Sequence, residues 1–268
     1  MTAAATPPHV VIDGFLGAAR AGELMQFALE HESEFHQSRF YTAEREARVD
    51  TSVRDSSHLL ELGPLRAAFA ASVDAILARL THELDVGLSQ ETKKEIEMVR
   101  YGDGGFFKRH ADAPPRPDGH DSVRALTLVY YFHALPKRFD GGELRLFSPD
   151  GFADIAPVYD RLVAFASAAF HEVRPTRCAS AFADGRFSIN CWVRRWREGQ
   201  SPSPSCRGGR EATVSKHEGE FQKAALTVSS SFETAAAPPP QDEETLPDSS
   251  PGPAQLSFWS AWNMRSAK

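Results

Sequence analysis

Two histidines and one aspartate carry the residue types that a metal site needs. His110 and Asp112 stand two positions apart after the glycine-rich run Gly102-Asp-Gly-Gly105, and His171 follows further along the chain. Of the 10 histidines, only His110 has an acidic residue two positions later. Two imidazoles and one carboxylate can occupy one face of an octahedral Fe(II) ion and leave three positions open for other ligands. The set therefore predicts a mononuclear iron site.

The spacing of the first pair favours a β-strand, because residues i and i+2 of a strand point to the same side. We expect a strand over Phe106–Ala111, with His110 and Asp112 facing the same way. Zinc also binds such ligand sets in hydrolytic enzymes. The chain has no HExxH motif, and no nearby glutamate is placed as a general base. These two absences favour iron over zinc.

A later strand separates polar from apolar residues by alternation. The predicted strand that begins at Arg186 has a polar side (Arg186, Ser188, Asn190, Trp192) and an apolar side (Phe187, Ile189, Cys191, Val193). The polar side suits a wet cavity, and a guanidinium there can bind a carboxylate through two parallel hydrogen bonds. We predict that Arg186 anchors an anionic co-substrate. Arg177, in a loop closer to His171, is the rival candidate.

Two tyrosines are candidates for the same pocket. In the predicted strand Ala125–Phe132, Tyr131 lies on the opposite side from its neighbour Tyr130. If Tyr131 faces the cavity, its phenol can share a carboxylate with Arg186; otherwise it is a buried core residue. Tyr101, at the end of an earlier predicted strand, is the second candidate.

The elements that must position these residues change character along the chain. We expect a short strand within His9–Leu16, then helices over Ala18–Glu30 and Pro64–Leu84, where apolar residues recur at helical spacing. Beyond them, short β segments are separated by turns such as Asp140–Gly142 and by the proline-rich loop Ala113–Asp121. The expected strands are Ile96–Tyr101, Phe106–Ala111, Ala125–Phe132, Glu143–Phe147, Leu162–Ala166, His171–Val173 and Arg186–Arg194.

Many short strands after a helical first part predict an α+β fold that is mainly β, a barrel or sandwich buttressed by N-terminal helices. We divide the chain into a support region (1–95), a catalytic core (96–197) and a tail (198–268). The tail is rich in Ser, Pro and Ala. Such a segment cannot bury enough apolar area to offset its ordering entropy, so we expect it to be disordered.

Composition limits the partners and the compartment. The net charge is -6, with 30 basic and 36 acidic residues, which gives nucleic-acid binding no global electrostatic support. The 3 cysteines form no CxxC pair, which predicts reduced thiols in a cytoplasmic protein. The first residues lack the basic and apolar regions of a secretory signal. No apolar run approaches the roughly 18 residues that span a bilayer, so we expect no membrane association.

Several motifs, taken in order, resemble the catalytic domain of the 2-oxoglutarate- and Fe(II)-dependent dioxygenases, specifically the prolyl-4-hydroxylase group. The resemblance covers about Ile96–Trp196. It rests on Met98-Val-x-Tyr101, His110-x-Asp112, Tyr130-Tyr131, Asp140-Gly-Gly-x-Leu144-Arg-Leu-Phe147, His171-Glu-Val-x-Pro175 and Arg186-Phe-x-Ile-x-x-Trp192. Several motifs in sequence order are far more specific than any one of them.

The resemblance implies a double-stranded β-helix, a jelly-roll barrel with helices packed outside. It implies that His110, Asp112 and His171 bind Fe(II), and that Arg186, helped by Tyr131, holds the distal carboxylate of 2-oxoglutarate. The further requirements are O2 and ascorbate, and the products are succinate, carbon dioxide and a hydroxylated substrate. In many members the anchor lies nearer the last histidine, and the intervening loop Cys178–Gly185 is extra here.

The resemblance leaves the substrate open. A prolyl or similar residue of a protein or peptide is our leading expectation, and a small-molecule hydroxylase is the alternative. The basic stretch Arg45–Arg54 is expected to frame the mouth of the site and to influence that choice. Nucleic-acid demethylases of the superfamily place a second arginine where this chain has Trp192, and halogenating relatives lack the carboxylate of Asp112. A ligand-binding barrel without catalysis is the remaining alternative.

Overall fold

The computed structural model describes residues 7–41, 47–113 and 122–196. These ranges contain two α-helices, α1 (Ala18–Glu30) and α2 (Pro64–Glu83). The strands are β1 (His9–Asp13), β2 (His36–Gln37), β3 (Phe40–Tyr41), β4 (Ala47–Arg48), β5 (Arg54–Asp55), β6 (Ser57–Leu59), β7 (Lys93–Tyr101), β8 (Phe106–His110), β9 (Ser122–Phe132), β10 (Phe139–Gly141), β11 (Leu144–Ser148), β12 (Gly151–Ile155), β13 (Arg161–Ala166), β14 (His171–Val173), β15 (Thr176–Cys178) and β16 (Arg186–Trp196).

A seven-stranded antiparallel sheet is the largest element, with strand order β1-β13-β9-β16-β7-β6-β2. Its centre is β16, which pairs with β7 on one side and β9 on the other. Strand β1 completes one edge by pairing with β13 along its whole length. The first residues of the described chain are therefore part of the same sheet as the last.

A five-stranded antiparallel sheet has the order β12-β11-β14-β8-β5. Two of its inner strands, β14 and β8, place His171 directly opposite His110. Two small pairs, β10 with β15 and β3 with β4, complete the described strands. The protein is thus mainly β, with antiparallel sheets and few helices.

The two faces of the wide sheet have different neighbours. Helix residues including Leu24 and Phe69 share one apolar core with Leu128 of β9 and Ile189 of β16. The phenol of Tyr130 also lies on this face, where Tyr130 packs against Phe69 at 5.8 Å between ring centroids. The opposite face of β9 carries Val129 and Tyr131, which belong to a separate apolar cluster. The alternation predicted for β9 and β16 is confirmed.

The predicted helices are confirmed, α1 at its expected bounds and α2 one residue shorter at its end. The strand expected within His9–Leu16 is β1, and the seven strands predicted after the helices are also present. Four of those seven are longer: β7 begins at Lys93, β9 at Ser122 and β13 at Arg161, and β16 ends at Trp196. The residues added to these strands are partly charged and pair across the sheet. Glu95, added to β7, forms an ion pair with Arg194 of β16. Charge at these positions hid the strands from a hydrophobicity pattern.

Two local predictions are wrong. Strand β8 ends at His110, and Asp112 lies in a bend after it, so the two side chains do not share a strand face. Asp140 and Gly141 belong to β10 rather than to a turn, because they pair with Arg177 and Thr176 of β15. The strands β2 to β6, β10, β12 and β15 were not predicted, since most span only two or three residues and carry no periodicity.

Some predictions lie outside the described residues. They are the disordered tail 198–268, most of the loop Ala113–Asp121 and the part of the basic stretch before Ala47. Among the residues that the structure describes, neither helix combines the length and apolar character needed to cross a membrane.

Candidate metal and co-substrate site

The two candidate histidines meet because β8 and β14 are neighbours in register. Their ring centroids lie 4.1 Å apart. The Nδ1 atom of His110 is 2.8 Å from the Lys108 carbonyl oxygen, and Nδ1 of His171 is 2.9 Å from that of Ala169. A carbonyl oxygen only accepts, so each Nδ1 donates its proton there. Each Nε2 is then left unprotonated and turned into the site, as a metal ligand must be.

Aromatic rings fix both imidazoles from the sides. Phe107 stacks on His110 with ring centroids 3.6 Å apart. Phe165 contacts His171 edge-on at 4.8 Å. The ligand nitrogens are therefore held both by hydrogen bonds to the main chain and by packing.

Asp112 reaches the two histidines from the bend after β8. Its backbone N–H and that of Ala113 both donate to the Ser167 carbonyl oxygen, at 3.0 and 2.9 Å. One carboxylate oxygen, Oδ1, lies 3.7 Å from Nε2 of His110, and the other, Oδ2, lies 3.4 Å from Nε2 of His171. One ligand atom from each of the three residues lies within 4.8 Å of the others. Such a cluster can hold one metal ion, so the three predicted ligands are brought together.

The site favours the protonation states that a metal requires. Burial, together with the charge of His171, lowers the pKa of His110 to about 3. Burial would raise the pKa of Asp112, but the charges of His171 and His110 outweigh it and bring that pKa to about 2. At neutral pH the cluster therefore offers a neutral imidazole at His110 and an ionised carboxylate, which is the state that binds a cation.

Arg186 is buried with no acidic partner. The residue is 1% exposed, and its Nε donates to the Gly142 carbonyl oxygen at 2.8 Å. Its guanidinium carbon lies 4.9 Å from the ring centroid of Tyr101 and 4.8 Å from that of Tyr131. Among the described residues no carboxylate forms an ion pair with it. A buried cation without a counter-charge is costly, so this position suits an anionic ligand.

Two buried hydroxyls near Arg186 have no hydrogen-bond partner, Oη of Tyr131 and Oγ1 of Thr176. Gly142 brings Thr176 and Arg186 together: a Cβ atom at Gly142 would lie 2.7 Å from Cδ of Arg186 and 2.9 Å from Oγ1 of Thr176. Burial raises the pKa of Tyr131, so its phenol keeps the proton and can donate it. A guanidinium and two unpaired hydroxyls fit the carboxylate of a ligand.

Thr176 is absent from the sequence-based site. It follows directly on the motif that ends at Pro175, but nothing in its local pattern points into a pocket. Its position depends on β15 pairing with β10, which places Thr176 opposite Gly141. Only the three-dimensional pairing shows that this hydroxyl lies beside Arg186.

The rival anchor Arg177 is exposed on β15 and is not brought to the site. The extra residues before Arg186 do not form one open loop. They include the end of β15 and a 3-10 turn (Phe182–Asp184) whose Phe182 ring packs on Phe187 at 5.3 Å. The insertion therefore adds packed structure between His171 and Arg186 and leaves the start of β16 in place.

Charged residues on the same face of the wide sheet extend the site. Arg124 lies with its guanidinium carbon 3.9 Å above the Trp192 ring and forms an ion pair with Glu95 at 2.6 Å. The indole Nε1 of Trp192 is buried and faces Asp112, where its N–H helps to lower the pKa of that carboxyl. Arg54, part of the basic stretch expected at the mouth, is instead buried, with its guanidinium carbon 4.9 Å from the Phe107 ring centroid.

Comparison with known proteins places this site in a family. Residues 96–194 match the model of the 2OG-Fe(II) oxygenase superfamily. An uncharacterized PKHD-type hydroxylase from Synechocystis sp. is 27% identical over 198 residues, which are 69% of this chain and 62% of that protein. Egl nine homolog 1 from Homo sapiens is 39% identical over 97 residues, which are 34% of this chain and 20% of that protein. The chain spans less than two thirds of the length of these curated relatives.

Comparison with solved structures shows a fold similar to that of prolyl hydroxylases. A prolyl-4-hydroxylase from Pseudomonas putida is 25% identical, with a TM-score of 0.53 over 70% of this chain and 94% of that one. A prolyl hydroxylase from Trichoplax adhaerens, solved with a peptide fragment of the hypoxia inducible factor oxygen degradation domain, is 23% identical. It also has a TM-score of 0.53, over 69% of this chain and 83% of that one.

The superfamily uses Fe(II), 2-oxoglutarate and O2, and the residues present here fit the first two. The cluster of two imidazoles and one carboxylate suits the ion, while Arg186 with the unpaired hydroxyls suits a carboxylate of the keto acid. Residues 96–194 of the chain thus match the 2OG-Fe(II) oxygenase superfamily, and the chain is similar to enzymes of the prolyl-4-hydroxylase type.

Proposed function

We propose that the protein is a dioxygenase that uses Fe(II), 2-oxoglutarate and O2 to hydroxylate a C–H position of a prolyl or similar residue in a peptide or protein. The observation that carries this proposal is the buried, uncompensated Arg186 with the unpaired hydroxyls of Tyr131 and Thr176. A site built only for a metal would not need an anion subsite. A keto acid with a second carboxylate satisfies all of these groups at once.

In the proposed roles, His110, Asp112 and His171 hold the metal, and Arg186 and Tyr131 hold the distal carboxylate. The Tyr101 ring packs against the guanidinium of Arg186, as the Tyr131 ring also does. When bound, the iron supplies the oxidative chemistry that activates O2 at the cost of the keto acid. The protein's contribution is to orient the ligands and keep the site dry, which limits turnover that is uncoupled from substrate.

The two antiparallel sheets, in this proposal, are the two halves of a jelly-roll barrel, with α1 and α2 as its outer buttress. We retain the division into a support region (1–95), a catalytic core (96–197) and a tail (198–268). β1 and β6, within 1–95, contribute strands to the wide sheet. The support region is thus proposed as part of one domain with the core.

A peptide substrate is favoured over a small molecule by the relatives. The similar Trichoplax adhaerens enzyme was solved with a peptide fragment, and Egl nine homolog 1 is 39% identical to this chain over 97 residues. Proline-containing peptides and free proline are the matched substrate candidates. Mass spectrometry for the gain of one oxygen atom distinguishes a peptide hydroxylase from a small-molecule hydroxylase.

Succinate formation tests the proposed reaction. Purified full-length protein is supplied with Fe(II), 2-oxoglutarate, ascorbate and O2, and succinate is measured over time. We expect Asp112→Ala to abolish it, whereas Asp150→Ala, an exposed carboxylate, should retain it. Arg186→Ala should raise the 2-oxoglutarate concentration needed for half-maximal rate at least tenfold, because a charged hydrogen-bonded pair is lost. The exposed Arg177→Ala is its matched control.

Absence of succinate from the wild-type protein, together with no metal-dependent binding of 2-oxoglutarate, would contradict the dioxygenase proposal. It would leave the non-catalytic ligand-binding barrel. Equal effects of Arg177→Ala and Arg186→Ala would contradict the assignment of the anchor. Binding without turnover would show that the primary substrate is required for the reaction.

A further inference from the structure

The Asp112 carboxylate accepts a hydrogen bond from Thr127, whose hydroxyl contacts that of Ser167, and neither residue has an assigned role. Oγ1 of Thr127 lies 2.7 Å from Oδ2 of Asp112 and 2.9 Å from Oγ of Ser167. Thr127 is 2% exposed and Ser167 is fully buried. Three polar groups are thus connected in a buried row that ends on the carboxylate proposed to bind the metal.

The positions of the protons in this row follow from the charge state of the Asp112 carboxylate at its end. A carboxylate that binds a metal is ionised, so it can only accept hydrogen bonds. Thr127 must then donate its one hydroxyl proton to Oδ2. The contact between Thr127 and Ser167 needs a proton from the other partner, so Ser167 must donate to Thr127. Ser167 therefore fixes the direction in which Thr127 donates.

Ser167 also holds the bend that carries Asp112. Its carbonyl oxygen accepts from the backbone N–H groups of Asp112 and Ala113, and its own N–H donates to the Ala125 carbonyl oxygen at 3.0 Å. The same residue thus fixes the main chain of Asp112 directly and its side chain through Thr127. A carboxylate in a bend after a strand needs such support, because no strand ladder fixes it.

We propose that Thr127, oriented by Ser167, is a positioning residue that makes Asp112 a ligand through one oxygen. Its hydroxyl engages Oδ2 and leaves Oδ1 for the ion. A carboxylate that chelated through both oxygens would occupy a position that the co-substrate and O2 need. This inference rests on the proposed function, since it assigns a role relative to the same metal.

Metal affinity tests this role without requiring turnover. Co(II) is titrated into purified full-length wild-type protein, Thr127→Val and Thr127→Ser, followed by the absorption of the bound ion. Valine keeps the shape of threonine and removes the donor, whereas serine keeps the donor. We expect Thr127→Val to weaken Co(II) binding roughly 10- to 100-fold, as for other groups that orient metal ligands. Thr127→Ser should bind within about threefold of the wild type, because the hydroxyl donor is retained.

Thermal unfolding without metal separates positioning from structural support. Ser167→Ala is the third variant, and we expect a smaller loss of affinity because Thr127 can still donate. Unchanged Co(II) affinity in Thr127→Val would overturn the inference, as would an equal loss in Thr127→Ser with both variants folded. If either of these results is found while the wild type binds Co(II) and forms succinate, only this inference fails. If the wild type binds no metal, the proposed function fails with it.

Discussion

Each proposed metal ligand has a second bond that fixes its orientation. His110 and His171 donate to backbone carbonyls two residues earlier, and Asp112 accepts from Thr127. The sequence predicts the ligands themselves, since their residue types and order are specific. It does not predict Thr127, Ser167 or Thr176 as partners, because those contacts depend on which strands lie side by side.

The hydroxyl of Thr176 should contribute to binding of the distal carboxylate. We expect Thr176→Val to weaken 2-oxoglutarate binding roughly tenfold or more, because one hydrogen bond to a charged group is lost. Thr176→Ser should retain most of the affinity. Calorimetry with protein containing Mn(II) measures the affinity of each protein for 2-oxoglutarate. The matched ligand 2-oxopentanoate, which lacks the distal carboxylate, should bind all three proteins alike, and a parallel loss for both ligands would contradict this role.

At the scale of elements, strand register decides what meets at the site. His110 and His171 are opposite each other because β8 and β14 pair at those residues. Arg186 and Tyr101 are likewise opposite across β16 and β7. The strands were predictable from short apolar segments, but their order in the two sheets was not, because pairing partners leave little trace in local composition.

The turn at Gly142 should control the co-substrate anchor through steric space. Gly142 and Gly14 share a backbone φ of +69°, but only at Gly142 would a Cβ atom collide with other atoms. Both Gly142→Ala and Gly14→Ala should lower the free energy of unfolding by about 1–2 kcal/mol through backbone strain. Only Gly142→Ala should weaken 2-oxoglutarate binding, because it displaces Arg186. Calorimetry and urea unfolding measure the two effects, and equal ligand affinities would contradict the proposed crowding.

The ion-pair cluster of Glu95 with Arg124 and Arg194 connects β7, β9 and β16. Burial acts to raise the pKa of Glu95, but the charges of both arginines outweigh it and hold that pKa below its ordinary value of 4.5. The unfolded chain therefore takes up this proton first as the pH falls. The stabilisation is complete above about pH 4.5 and is lost as the pH falls through the lower folded-state pKa.

Glu95→Gln should accordingly lower the free energy of unfolding at neutral pH by about 1–3 kcal/mol. The difference from the wild type should shrink in buffers below the ordinary glutamate pKa. Urea unfolding over a pH series measures it, with the exposed Glu61→Gln as control. A difference between the proteins that stays constant down to acid pH would show that the cluster does not stabilise the sheet through charge.

At the scale of the whole molecule, the wide sheet separates two tasks. One face packs against α1 and α2 and forms the larger apolar core. The other face carries Arg186, Tyr131 and Thr127. The alternation of polar and apolar residues in β9 and β16 made this division predictable. The N-terminal strand β1 and the short strands before α2 were harder to place, since their role depends on distant partners.

The central claim is that one co-substrate, 2-oxoglutarate, is bound at both ends. The metal ion held by the three protein ligands binds one end, and the Arg186 subsite binds the distal carboxylate. The most direct measurement is the affinity for 2-oxoglutarate with and without Mn(II), under anaerobic conditions. We expect the metal to tighten binding at least tenfold, because the keto acid gains donor contacts to the ion. Asp112→Ala should remove this dependence, and Arg186→Ala should weaken binding in both conditions. Equal affinities with and without the metal in the wild type would contradict the claim.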